Sequence, residues 1–125
     1  MDKKISHYFQ SFGLNYVSRI NALIGAGMYQ MDQLLNLLTA EKAQELQFRA
    51  GSPPILVSER EHHFLQGPPM TTEELLTLFR CLASSREVRE LRDFGKLHFV
   101  YTAPGRTPFL VQAKMEAERI AFEVS

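Results

Sequence analysis

Cysteine is nearly absent: Cys81 is the single one among 125 residues, which excludes an internal disulfide and any cysteine-based zinc cluster. Long apolar runs are missing as well, and none approaches the roughly 18 residues a membrane-spanning helix needs. There is no excess of either charge. Lys and Arg number 14, Asp and Glu number 14, and the formal net charge is zero. Phosphate binding draws mostly on clustered Lys and Arg, so this balance argues against a nucleic-acid binder relying on bulk positive charge. The opening Met1-Asp2-Lys3-Lys4-Ile5-Ser6-His7-Tyr8 has no apolar stretch behind its charges, so no secretory signal is expected. A reduced, cytoplasmic setting is the expectation that follows.

What is present is ordinary globular material, with 45% hydrophobic and 22% charged residues, far from the disordered class. The length is that of one domain, able to bury about two-thirds of its unfolded surface. Residues 1–30 differ from the rest. They hold Lys3, Lys4 and Arg19 against Asp2 alone, a net of +2, which leaves −2 for the remainder. Ile5, Tyr8, Phe9 and Phe12 fall at helical spacing, as do Val17, Ile20 and Ile24 before Gly25-Ala26-Gly27. The pattern predicts two short amphipathic helices that pack on the body of the protein or on another copy. Their polar faces lack the basic residues of a membrane-surface helix, and no membrane insertion is expected.

From residue 31 onward the pattern changes to mixed helix and strand. A helix is expected from about Asp32, as N-cap, to Ala43, burying Leu34, Leu35 and Leu38. Glu45 to Arg49 alternates as a strand with Leu46 and Phe48 inward, and Gly51-Ser52-Pro53-Pro54 ends it. Ile55-Leu56-Val57 and His63-Phe64-Leu65 read as further strands. Thr71 with Glu74 and Ser84 with Glu87 are two capping boxes. They open one helix through Leu75, Leu76, Phe79 and Leu82, and a second reaching about Asp93. The end of the chain reads as β: Lys96 to Thr102, a Pro104-Gly105 turn, Phe109 to about Lys114, then Arg119 to Val124. Leu97, Phe99 and Tyr101 share one face of their strand.

Residues with chemical potential do not assemble into an active site by spacing. Gly95-Lys96-Leu97 lacks the hydroxyl residue of a phosphate loop, and Glu90 stands where its first glycine belongs. Gln30 occupies the third-glycine position after Gly25-Ala26-Gly27, so the dinucleotide fingerprint fails. His62 and His63 would point to opposite faces of a strand and could share a metal only on irregular backbone, with Glu59 and Glu61 nearby completing a weak site as the alternative reading. They read as solvated polar residues, and His7 and His98 are isolated. Cys81 reads as a small core or boundary residue, and the Ser84-Ser85 hydroxyls as caps. Met28 and Met31, beside Tyr29, read as packing. Arg86, Arg89 and Arg92 line one helix ridge that would grip an anion or a partner's carboxylates, or else pair within the helix as Arg86–Glu90 and Arg89–Asp93. No catalytic residue, metal site or cofactor site is expected.

Order and spacing then point to a family. Met31-Asp32-Gln33-Leu34-Leu35-Asn36-Leu37-Leu38, followed by Ala43-Gln44-Glu45-Leu46-Gln47-Phe48 and Ala50-Gly51-Ser52-Pro53-Pro54, resembles the opening of PilT-type retraction ATPases of type IV pili, relatives of the type II secretion ATPases. The Pro68-Pro69-Met70-Thr71 helix start, the stretch Leu91 to Tyr101 and the Pro104-Gly105 hairpin continue the likeness, which spans residues 31–125. The resemblance implies an α+β, PAS-like domain, a mostly antiparallel sheet with packed helices, preceded here by the N-terminal helical extension of residues 1–30. In the family this domain precedes a RecA-like motor and packs on a neighbouring subunit's motor in a hexamer. The chain stops where the motor would begin, so the resemblance implies a free-standing, non-catalytic relative.

The departures bear on partners. The family's Ser-Asp-Leu-His reads Gln44-Glu45-Leu46-Gln47 here. Its arginine after the Pro-Pro turn corresponds to Val57, and its Arg-Phe-Arg to Pro108-Phe109-Leu110. Those arginines face the neighbour's nucleotide or interface in the family. The expectation is that Val57, Leu110, Phe9 and Phe12, together with Arg86, Arg89 and Arg92, bind a protein partner: a pilus or secretion ATPase, or a second copy. The alternative is a PAS-like small-ligand sensor, its cleft lined by Phe48, Phe79, Phe99, Tyr101 and Phe109.

Overall fold

In the computed structural model, which describes residues 29–125, the chain enters at Tyr29, whose hydroxyl donates to the Pro68 carbonyl. Burial, and then the neighbouring Glu74 carboxylate, push this phenol up to about 12. The expected helices of residues 1–30, with Phe9 and Phe12, lie outside the described residues. Three helices and six strands follow: α1 (Met31–Ala40), β1 (Glu45–Phe48), β2 (Ile55–Ser58), β3 (Glu61–Phe64), α2 (Thr72–Arg80), α3 (Ser85–Phe94), β4 (Lys96–Tyr101), β5 (Phe109–Glu116) and β6 (Arg119–Val124).

The strands form one antiparallel sheet in the order β3-β2-β1-β6-β5-β4. The α+β class with a mostly antiparallel sheet and packed helices is therefore the observed one. Side-chain alternation gives the sheet two faces. One carries Leu46, Phe48, Leu56, Val111, Phe122 and Val124, all buried, and the helices cover it: α1 meets β1, α2 meets β6, and α3 meets β4 and β5. Phe48 and Phe122 are register partners whose rings stack at 4.4 Å, and Phe79 of α2 tilts onto Phe122 at 5.2 Å. Such a ring pair adds about 0.5–1.5 kcal/mol beyond the area it removes from water.

The local signals explain the element ends. Both capping boxes form: Thr71 Oγ1 accepts from the Glu74 amide at 3.1 Å and the Thr71 amide donates to Glu74 at 2.9 Å, and Ser84 with Glu87 does the same at 3.2 and 2.9 Å. Gly95, at φ +81°, terminates α3 in the left-handed conformation that glycine adopts without penalty.

Other ends differ from expectation. α1 starts at Met31, one residue ahead of Asp32, because Gln30 is the N-cap and makes no side-chain bond there. Asp32 instead sits in the first turn, where a carboxylate complements the helix dipole. The helix stops at Ala40 rather than Ala43. The Lys42 amide donates to Thr39 and the Ala43 amide to Leu38, with Lys42 at φ 52°. This is a Schellman ending with lysine in the place usually held by glycine. β3 begins at Glu61, and β5 extends to Glu116, because Glu59-Arg60 and Ala117-Glu118 make two-residue turns with positive φ at both positions. α2 ends at Arg80, so Leu82 is buried from just beyond the helix.

Three side chains sit where the sequence reading did not put them. Val57 is 6% exposed, flanked in register by Glu45 and His62, so it is not an open surface residue. His63 is also buried, because its register position opposite Leu56 turns it to the helix-bearing side of the sheet. Cys81 is exposed at the end of α2, with its thiol directed to the Thr77 carbonyl at 3.4 Å.

Candidate interaction surface

On the sheet face away from the helices, alternation brings out residues that the buried face excludes. Phe99 and Tyr101 point inward from β4, so Val100 between them points outward and is 63% exposed. Leu110 on β5 is its register partner and stands at 36% exposure. At the opposite edge of the same face, Phe64 of β3 is 62% exposed. Phe94, the last residue of α3, is more open still.

Between these apolar positions the exposed and half-buried side chains of the face are polar, while Ile55, Val57 and Ala121 on it are buried. A groove of about 880 Å³ runs over it, lined among others by Gln47, Arg49, Phe94, Lys96, His98 and Glu123. Gln47 donates to the Glu45 carboxylate at 2.7 Å. Glu123, beside it, is raised above the ordinary carboxyl range, first by burial and then by the like charge of Glu45, with Lys114 and Arg49 pulling the other way. Lys114 also pairs with Glu116 at 3.1 Å.

The residues singled out from sequence do not form one site. Val57 and Leu110 share this face but are separated by β1 and β6, three strand spacings or about 14 Å. The three arginines of α3 lie on the helical side. Arg86 pairs with Glu90 at 3.7 Å. The expected Arg89–Asp93 pair is not formed, and Arg89 and Arg92 instead line a cleft with Arg80. Val100, Phe64, Phe94 and Arg80 were not among the residues singled out from sequence. The inward alternation of Phe99 and Tyr101 already implied an outward Val100, and Phe94 lies off the buried Val88–Leu91 stripe of its helix.

The five aromatics proposed to line a ligand cleft serve the core. Phe48 stacks on Phe122, Phe79 meets Phe99 edge-on at 6.2 Å, Phe109 is 7% exposed, and none of the five lines the groove. Among the described residues there is no group of three or more His, Cys, Asp and Glu placed to hold a metal ion. No helix among them is long and apolar enough to cross a membrane.

No protein-family model matches the chain, and no curated protein is significantly similar to it. Solved structures do match. The crystal structure of the pilus retraction motor PilT with bound ADP superposes with a TM-score of 0.66 at 19% identity, over 74% of this chain and 27% of that one. The fold is shared. The ATPase DotB of Legionella pneumophila matches at a TM-score of 0.60 and 16% identity, over 75% of this chain and 26% of its own. DotB of Yersinia pseudotuberculosis gives 0.55 and 16%, over 75% and 28%. The chain thus spans about a quarter of the length of these ATPases, and at such identities the likeness is one of fold.

Proposed function

We propose that this chain is a non-catalytic protein-interaction module, built like the amino-terminal domain of pilus and secretion ATPases, that regulates or scaffolds a motility or secretion assembly in the cytoplasm. Its partner is a motor ATPase of that kind or a second copy of the chain. The observation that carries this reading is the exposed Val100–Leu110 pair on the sheet face opposite the helices. Apolar side chains paired in the open on a regular sheet favour a covering partner, because their contact removes surface from water at about 25 cal/mol per Å². The shared fold supports the choice of partner, since PilT and DotB carry it within chains about four times as long as the matched part.

The test is capture of a purified PilT-type retraction ATPase by the full immobilised chain, with light scattering of the chain alone to read self-association. Capture or a dimer mass, lost in the V100D/L110D double variant, supports the proposal. A monomer that captures no motor overturns it, as does ATP hydrolysis by the purified chain alone.

A second reading, a small-ligand sensor, is favoured by the 880 Å³ groove and its mixture of amide, imidazole and guanidinium groups. Thermal shift across a metabolite panel that includes ADP separates the two readings, since a specific ligand raises the melting temperature by mass action.

A further inference from the structure

The helical side of the molecule holds a charged feature distinct from the apolar pair. The end of α2 and the length of α3 enclose a cleft of about 330 Å³ lined by Arg80, Ala83, Ser85, Val88, Arg89 and Arg92. Arg89 and Arg92 are three apart on α3, hence neighbours on one ridge, and Arg80 reaches the same cleft from the last turn of α2. Among the described residues no carboxylate lines the cleft and none of these three guanidiniums forms an ion pair. Arg86, the arginine of this helix that does pair, lies outside it. Three like charges around so small a volume repel one another, and an anionic guest converts that repulsion into attraction.

The surroundings indicate which kind of anion. The floor is apolar, made by Ala83 and Val88, each 8% exposed. At the start of α3, the usual seat of a phosphate, the Ser84 and Glu87 amides are engaged by the capping box, which also places the Glu87 carboxylate there. Separate guanidinium forks over an apolar floor match carboxylates distributed along a chain better than one compact, doubly charged phosphate.

We propose that this cleft receives an acidic peptide segment of the protein partner, with Asp or Glu side chains engaging Arg80, Arg89 and Arg92 and an intervening apolar side chain resting on Ala83 and Val88. The inference rests on the interaction role proposed above and supplies the chemistry of the partner.

The experiment is fluorescence anisotropy of a labelled peptide of Glu-Glu-Leu repeats, titrated with the full chain at about 0.05 and about 0.3 M salt. The same peptide with Gln for Glu, and inorganic phosphate as competitor, complete the set. The expected result is salt-sensitive binding of the Glu peptide alone, weakened about tenfold in each of R80E, R89E and R92E. R86E, which lies outside the cleft, is expected to bind as the parent does. All four arginines are exposed, and melting temperatures of the variants check that they fold. Equal binding of the Gln peptide, an equal loss in R86E, or displacement by phosphate at lower concentration than by unlabelled Glu peptide overturns the proposal. If the Glu peptide fails to bind while motor capture still depends on Val100 and Leu110, this inference falls and the interaction role stands. If capture and self-association are both absent, the role itself falls.

Discussion

Val100 and Leu110 stand directly opposite one another across the β4–β5 ladder, both turned away from the helices. One residue further along β5, Val111 points the other way and is fully buried. The strand therefore contains its own control. Replacing Val111 with Ala removes two buried methyl groups and leaves a cavity, and is expected to cost about 2 kcal/mol by urea denaturation. The V100T/L110T double variant keeps strand-compatible shapes, removes no core contact, and is expected to stay within about 0.5 kcal/mol of the parent. The same double variant weakens capture of the motor or self-association. A large stability loss in V100T/L110T would mean that the pair belongs to the folding core rather than to an interface.

Lys42 holds a left-handed conformation at φ 52° to close α1. For an L-residue with a side chain that conformation costs about 1–2 kcal/mol, and glycine avoids it. Part of the gain is lost because glycine also loosens the unfolded chain. Lys42→Gly is therefore expected to raise stability by roughly 0.5–1 kcal/mol, read as a higher urea midpoint at unchanged slope.

The β5–β6 turn makes the same point at two adjacent residues. Ala117 and Glu118 both have positive φ, at 49° and 67°, as the two-residue turn requires. Asn-Gly is the pair that adopts this shape most readily. The A117N/E118G variant is expected to gain about 1 kcal/mol and to keep the Glu116–Arg119 register, checked by denaturation and by amide protection of the hairpin.

These positions show what the sequence made legible. Where a residue type carries the conformational instruction, the structure follows it: Thr71–Glu74 and Ser84–Glu87 cap their helices, and Gly95 ends one. Where the fold imposes a conformation on an unsuitable residue, as at Lys42, Arg60 and Glu118, no local mark exists and the boundary shifts by two or three residues. Alternation identified the inward side chains of β1 and β4 because period two is local. The burial of Val57 and His63 was not local, since it depends on which strands flank β2 and β3 in the sheet. The candidate site was legible only in pieces for the same reason. Arg89 and Arg92 are neighbours by helix geometry, but Arg80 joins them only because the turn between α2 and α3 brings the end of α2 to the same cleft.

Glu41, just past the end of α1, is 7% exposed, and neither carboxylate oxygen has a hydrogen-bond partner among the described residues. Burial raises its carboxyl above the ordinary value of 4.5. A group whose proton is held more tightly in the folded state than in the unfolded one favours folding fully below the ordinary carboxyl range. That contribution is lost as pH rises through the raised folded value. Ionised Glu41 is accordingly a burden near neutrality. Glu41→Gln, which mimics the protonated form, should match the parent at about pH 4 and exceed it by about 1 kcal/mol near pH 7. Glu123, raised by burial and by Glu45, adds a slope of the same sign, so E123Q separates the two contributions. Urea midpoints across this pH range decide the matter: a Glu41→Gln variant no more stable than the parent at neutral pH would mean that the Glu41 carboxylate is solvated in the folded protein.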